Sequence, residues 1–270
     1  MSKAQALRQD PGRFLKTFSA FKDHIFLWLY AAGITAAEIV TAYYNPVSGI
    51  ACHAVLLLAL LAHAALAYRQ PVNMVYMALA LAPMIRITSL SMPLLGVPPM
   101  YWYFIISLPL FAAAVSVMRL AGFKRQEVGL IAGNLPLQAL VAFLGVPLGL
   151  VEYLILKPAP LVPSLAFQHV WLPALILLTG TGFLEELIFR GVMQRAAEEC
   201  LGRWYGAIYI SFVFGVLHIT HRSPLDLLFV FGVALLFSTA VALFRSIAGV
   251  TFAHGLTNIG LYIVWPHILK

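Results

Sequence analysis

Nine runs of roughly twenty apolar residues recur along this chain, at about 25–44, 47–68, 72–92, 101–118, 129–150, 169–189, 205–220, 225–244 and 247–265. Wound as a helix, a run of this length spans the hydrocarbon of a bilayer. There, backbone N–H and C=O groups must find partners inside the segment or in a closed barrel, so such runs dictate helices. Composition agrees. The 270 residues are 62% hydrophobic and 10% charged, against about 25% charged in soluble domains. So little charge leaves no polar surface to cover a soluble core. The expected fold is all-α: a polytopic transmembrane helix bundle of eight to nine helices, nine if every run crosses and eight if one broken by Pro and Gly does not. Pro83, Pro93, Pro98 and Pro99 blur the third boundary. Pro136 and Pro147 are placed to kink the fifth helix or make it re-entrant.

In such a chain the formal net charge of +7 argues for cationic anchors at cytoplasmic helix ends, not for nucleic-acid binding. Lys3, Arg8, Arg13, Lys16 and Lys22 precede the first run. That run is too long for a signal-peptide core, and no small-residue cleavage site follows it. Arg69, Arg119, Lys124, Arg125, Arg190, Arg195, Arg203 and Arg245 alternate with the crossings so that all can share the side of the basic N-terminus. The opposite loops hold few charges, chiefly Glu152, Lys157 and Arg222. The positive-inside rule then places the N-terminus in the cytoplasm; nine crossings would put the C-terminus outside and eight inside. The longest polar stretches, 1–24, 119–128 and 190–204, leave no room for a soluble domain. The last is expected to continue the sixth helix beyond the hydrocarbon. Cys52 and Cys200 suggest no disulfide framework. No strong internal repeat marks the paired halves common in secondary transporters.

Against this apolar background a few polar residues stand out. Glu185 and Glu186 are adjacent near the end of the sixth run, where a carboxylate costs roughly 2.5–3.5 kcal/mol on insertion scales. Glu186 and Arg190 are four apart, share a helical face and can pair. Glu185 points about 100° away, which leaves it free to hold a water. Gly180 and Gly182 just before the pair permit close helix approach or local opening. Phe214 and His218 share a face of the seventh run, and His254 and Asn258 a face of the ninth. One carboxylate, two imidazoles and a carboxamide on three segments would, if they converge, activate water and stabilise an oxyanion. Solvated helix ends or interhelical polar contacts explain each element equally well alone. Depth does not bring them together cleanly. His218 lies about 20 Å inward from residue 205, His254 about 14 Å from Arg245, and Glu185 about 8 Å from Arg190, at 1.5 Å per residue. Either tilt reconciles these depths, or Glu186 draws Arg190 below the interface. No His-Glu-x-x-His helix and no Gly-x-Ser-x-Gly elbow is present. Glu and His are also metal-ligand types, so zinc held by Glu185, His218 and His254 stays open beside an ordered water.

The ordered set Glu185-Glu186-x-x-x-Arg190, Phe214-x-x-x-His218 and His254-x-x-x-Asn258 resembles the CPBP family of intramembrane proteases, also called the type II CAAX prenyl endopeptidase or Abi family. The resemblance covers about residues 165–265. It divides one integrated membrane domain into residues 1–160, an N-terminal segment with accessory helices, and residues 161–270, a catalytic helical core. It implies a glutamate-type intramembrane endopeptidase in a bacterial cytoplasmic membrane, with a cavity opening towards the cytoplasm. By the resemblance, Glu185 activates water with His218, and His254 and Asn258 stabilise the oxyanion. Glu186 and Arg190 organise the site and Phe214 walls it. The glutamate mechanism requires no cofactor, although older descriptions of the family call its members metal-dependent. The substrate is a membrane-associated peptide or protein, and nucleic acid is not a partner. The family also includes processors of bacteriocin-like peptides and immunity-associated proteins, and the sequence does not choose among them. A non-proteolytic scaffold or immunity protein on the same fold, or a small-molecule transporter, is the alternative.

Overall fold

The computed structural model describes residues 11–269 other than 69, 71 and 93, with side chains from residue 24 onward. Lys3, Arg8, Arg69 and Pro93, and the side chains of Arg13, Lys16 and Lys22, lie outside the described residues.

Every described element is helical. In chain order they are α1 (Pro11–Ile39), α2 (Pro46–Leu66), α3 (Val72–Leu79), α4 (Leu81–Ser91), α5 (Pro99–Leu120), α6 (Leu135–Phe143), α7 (Gly145–Leu156), α8 (Phe167–Leu201), α9 (Arg203–Val216), α10 (Pro224–Phe244), α11 (Ala248–Ile259) and α12 (Trp265–Ile268). Wider π-helical turns interrupt or extend several of them, at Val40–Tyr44, Leu177–Phe183, Leu187–Met193 and Gly260–Val264.

Seven helical stretches among the described residues are long and apolar enough to cross a membrane: His24–Tyr44, Pro46–Leu66, Val72–Ser91, Pro99–Leu120, Leu135–Leu156, Phe167–Leu201 and Pro224–Phe244. The protein is thus a polytopic membrane-helix bundle. The two further segments in an expected count of eight to nine differ from these. α9 has 14 residues, about 21 Å of helix against a hydrocarbon core of about 30 Å. The stretch from Ala248 carries His254 and Asn258 among its apolar residues. Bilayer solvation also explains the outer surface. In the α5 span only 17% of residues are buried, and Leu58, Leu108, Phe143 and Leu228 are exposed. In water such a surface would aggregate.

Local chemistry sets the boundaries. Asn45, Asn134 and Ser223 accept backbone N–H bonds at the starts of α2, α6 and α10, each with Pro in the first turn. The fifth crossing therefore begins six residues later than expected, at Leu135 and not at 129, behind left-handed Gly129 and Gly133. Pro136 sits in that first turn and kinks nothing. The break falls instead at Leu144, where Pro147 has no N–H for the Phe143 carbonyl. The shift carries the helix to Leu156. Glu152, expected in a loop, is buried inside α7.

α8 is the central post, 35 residues long with 56% of its span window buried. The helix continues through Arg190 to Leu201, as the polar stretch 190–204 suggests. α11 crosses α8 and α7 at small residues. Gly182 faces Thr251 and Gly255, Gly145 faces Ala253, and Gly149 faces Thr257. A Cβ on Gly182 would lie 2.9 Å from the Thr251 carbonyl and the Gly255 nitrogen, both backbone atoms that cannot turn aside. Gly182→Ala is expected to cost about 1–3 kcal/mol by overpacking, seen as a lower unfolding midpoint in lipid nanodiscs. An unchanged midpoint would show that α8 and α11 can separate freely.

The loops gather at two ends. At one, loops 121–134 and 245–247 are joined by Ile247 N donating to Gly129 O at 3.0 Å and Ser246 Oγ to Ile131 O at 2.6 Å. Ion pairs Arg245–Glu198 at 2.9 Å and Arg195–Glu199 at 2.6 Å lie there too. At the other, Leu161 N donates to Tyr262 O at 3.0 Å, His267 Nε2 to Val162 O at 3.0 Å, and Arg86 to the Leu217 carbonyl.

Candidate active site

The two glutamates of α8 have different surroundings. π-helical turns on either side leave one α turn, Leu184–Glu186, between them. Such wide turns recur at functional positions. Glu186 is fully buried. Its Oε1 accepts from Arg190 Nη1 at 3.1 Å and from His254 Nδ1 at 2.8 Å. It thereby binds its own helix to α11. The Arg190 guanidinium lies 4.3 Å from the centre of the Phe214 ring, a cation–π contact that helps an otherwise costly buried cation. The arginine is a buried partner of Glu186, so it does not mark the membrane interface, and depth measured from it misplaces Glu185.

Glu185 turns into a cavity of about 280 Å³. Its side chain is 31% exposed, and its Oε2 is 3.8 Å from His254 Nε2, beyond a direct hydrogen bond. Glu185, Arg190, Phe214, His218, His254 and Asn258 all line this cavity, and Glu186 stands behind its wall. The segments that sequence depth left apart are thus brought together.

His218 follows the end of α9, where its Nδ1 donates to the Phe214 carbonyl at 3.0 Å. That bond assigns the proton of a neutral ring to Nδ1 and leaves Nε2 as an acceptor. On α11, Asn258 Nδ2 donates to Thr181 Oγ1 at 2.9 Å, and Thr181 donates in turn to Leu177 O. One amide proton of Asn258 is used there and its other is not. Phe214 joins these groups. Its ring is 4.9 Å from that of His218, 6.1 Å from His254 and 4.8 Å from Phe189.

Several cavity residues escaped sequence reasoning. Glu152 of α7 faces the same space, as do Tyr103 of α5 and Tyr262 beyond α11. A single carboxylate inside the run Gly145–Leu156 was the available signal, hidden because that run was ended too early. Arg86 of α4 also lines the cavity. It bonds buried Glu38 at 2.8 Å and reaches the carbonyl of Leu217, next to His218. His53 Nε2 lies 3.2 Å from the same Glu38 oxygen. The accessory helices thus brace the turn that carries His218. At the cavity rim His221 Nδ1 donates to buried Asp226 at 2.8 Å.

Glu185, His218 and His254, the three residues that could ligate a metal, line one cavity, with His254 Nε2 turned towards Glu185. Among the described residues no group of three His, Cys, Asp or Glu side chains is already placed to hold a metal ion.

Residues 167–260 match a protein family described as Type II CAAX prenyl endopeptidase Rce1-like. This region holds α8 to α11 and with them all three polar motifs. The match supports a proteolytic role within the membrane. No curated protein and no solved structure matches the chain.

Proposed function

We propose that this chain is an intramembrane endopeptidase that hydrolyses a peptide bond of a membrane-associated peptide or protein with a water activated by Glu185 and His218. The observation that carries this reading is the division of labour between the adjacent carboxylates. Glu186 is consumed by Arg190 and His254, whereas Glu185 faces the cavity, its Oε2 3.8 Å from His254 Nε2. An oxygen held beside Glu185 and the unprotonated Nε2 of His218 can lose its proton as it attacks the scissile carbonyl. The free amide proton of Asn258 points to one half of an oxyanion site. His254 supplies the other from Nε2 when its ring carries both protons. Glu186, Arg190 and Phe214 hold the two histidines in register. On this reading residues 161–270 are the catalytic core and residues 1–160 the accessory helices. α9 and the helix from Ala248 add two crossings to the seven long ones. The membrane is a bacterial cytoplasmic one, with the N-terminus inside. The matched family's name speaks of prenylated substrates; the reading here assigns only a membrane-bound peptide.

Water activation by Glu185 and His218 requires no metal. Purified protein in proteoliposomes, given a library of membrane peptides, is expected to generate new peptide termini at the same rate with and without a strong chelator. Loss of cleavage on chelation and its return with zinc would overturn the water-only mechanism. A folded protein that cuts nothing in the library would turn the reading towards a scaffold.

A further inference from the structure

We infer that the cavity opens at the non-cytoplasmic face of the membrane, the reverse of the cytoplasmic opening that the family resemblance implies. The substrate, on the proteolytic reading above, is then an extracytoplasmic juxtamembrane segment.

Two independent observations meet here. The first is the direction of the cavity. It runs from Arg190 and Phe237 in the middle of the bundle to Ser89, Thr220 and His221, at the end that holds loops 92–98, 157–166 and 217–223. The His221 side chain there is 33% exposed. Towards the other end the passage is stopped. Gln194 donates to Ser238 O at 2.9 Å, Arg203 to Ala242 O, and Arg245 to Glu198 at 2.9 Å. Beyond Arg190 on this side the space lined by Arg195, Glu198, Val241 and Arg245 is about 10 Å³, no more than one water can occupy.

The second observation is charge. Ten basic residues lie among those whose side chains are described. Arg86 and Arg190 are buried or half-buried within the bundle and paired with Glu38 and Glu186. Arg119, Lys124, Arg125, Arg195, Arg203 and Arg245 gather at the stopped end. Only Lys157 and Arg222 are at the open end. Short loops rich in Lys and Arg stay in the cytoplasm, so six against two assigns the stopped end to the cytoplasm. A polypeptide then meets Glu185 and His218 from outside.

Cysteine labelling tests this. In the full chain with Cys52→Ser and Cys200→Ser, one new cysteine is placed at Leu95, 99% exposed in the loop at the open end, or at Gln126, exposed at the stopped end. A membrane-impermeant maleimide is applied to intact bacterial cells and to permeabilised ones. Leu95→Cys is expected to label in intact cells, and Gln126→Cys only after permeabilisation. The reverse pattern, or equal labelling of both in intact cells, overturns the inference. Peptide cleavage by the same two variants in proteoliposomes keeps the readings distinct. Outside labelling without cleavage supports the orientation and counts against proteolysis. Cleavage with reversed labelling removes the orientation alone.

Discussion

Glu186→Ala is expected to lower thermal stability sharply and to remove hydrolysis together with it. Glu186 and Arg190 are buried almost completely, and the same oxygen that meets the guanidinium also accepts from His254. Removing one partner of such a pair leaves a charge in a low-dielectric interior, at a cost of about 3–5 kcal/mol. Pairing the change with Arg190→Met removes that stranded charge. Glu186→Ala/Arg190→Met is therefore expected to recover much of the unfolding midpoint, because apolar replacements of buried ion pairs are often neutral. Hydrolysis is not expected to return, since Arg190 no longer lies against Phe214 and His254 has lost its carboxylate. Thermal unfolding in nanodiscs and cleavage rates on the same samples separate the two effects. A single variant as stable as wild type would show that this pair is not what closes the bundle around the cavity.

Glu185→Gln is expected to behave in the opposite way. Its carboxylate faces the cavity and anchors no buried cation at hydrogen-bonding distance, so an isosteric amide leaves packing intact and the unfolding midpoint near that of wild type. The reaction loses its base. General-base catalysis contributes about 10²–10⁴-fold, and a fall of that size in the rate of cleavage is expected with little change in KM. Both predictions together test whether two neighbouring carboxylates divide structure from chemistry. Equal effects of the two substitutions on stability and on rate would contradict that division.

Much of the fold is legible because hydrocarbon permits so few backbone solutions. Seven of the nine apolar runs correspond to helices of spanning length, most with ends within a few residues of the pattern. The pairing of Glu186 with Arg190 follows from their spacing alone. What the sequence hides depends on tertiary contact. That His254 bonds Glu186 and not Glu185 most closely is decided by the approach of α11 to α8 at Gly182 and Gly255. The place of Glu152 turned on where α6 starts, and hydropathy does not weigh an Asn134 cap against an apolar neighbour. Arg86 read as one charge in an apolar run. Its use as a brace for the carbonyl of Leu217 needs a contact across 131 residues of chain, which no local pattern contains. The shallow depth read for Glu185 arose from treating Arg190 as an interface marker, when its partner holds it inside.

The measurement that bears most directly on the account is mass spectrometry of a membrane-peptide library after incubation with wild-type protein or with Glu185→Gln in proteoliposomes, the two matched for folded amount. The account predicts new internal peptide termini with wild type and their near-absence with Glu185→Gln. The same termini formed at the same rate by Glu185→Gln would contradict it.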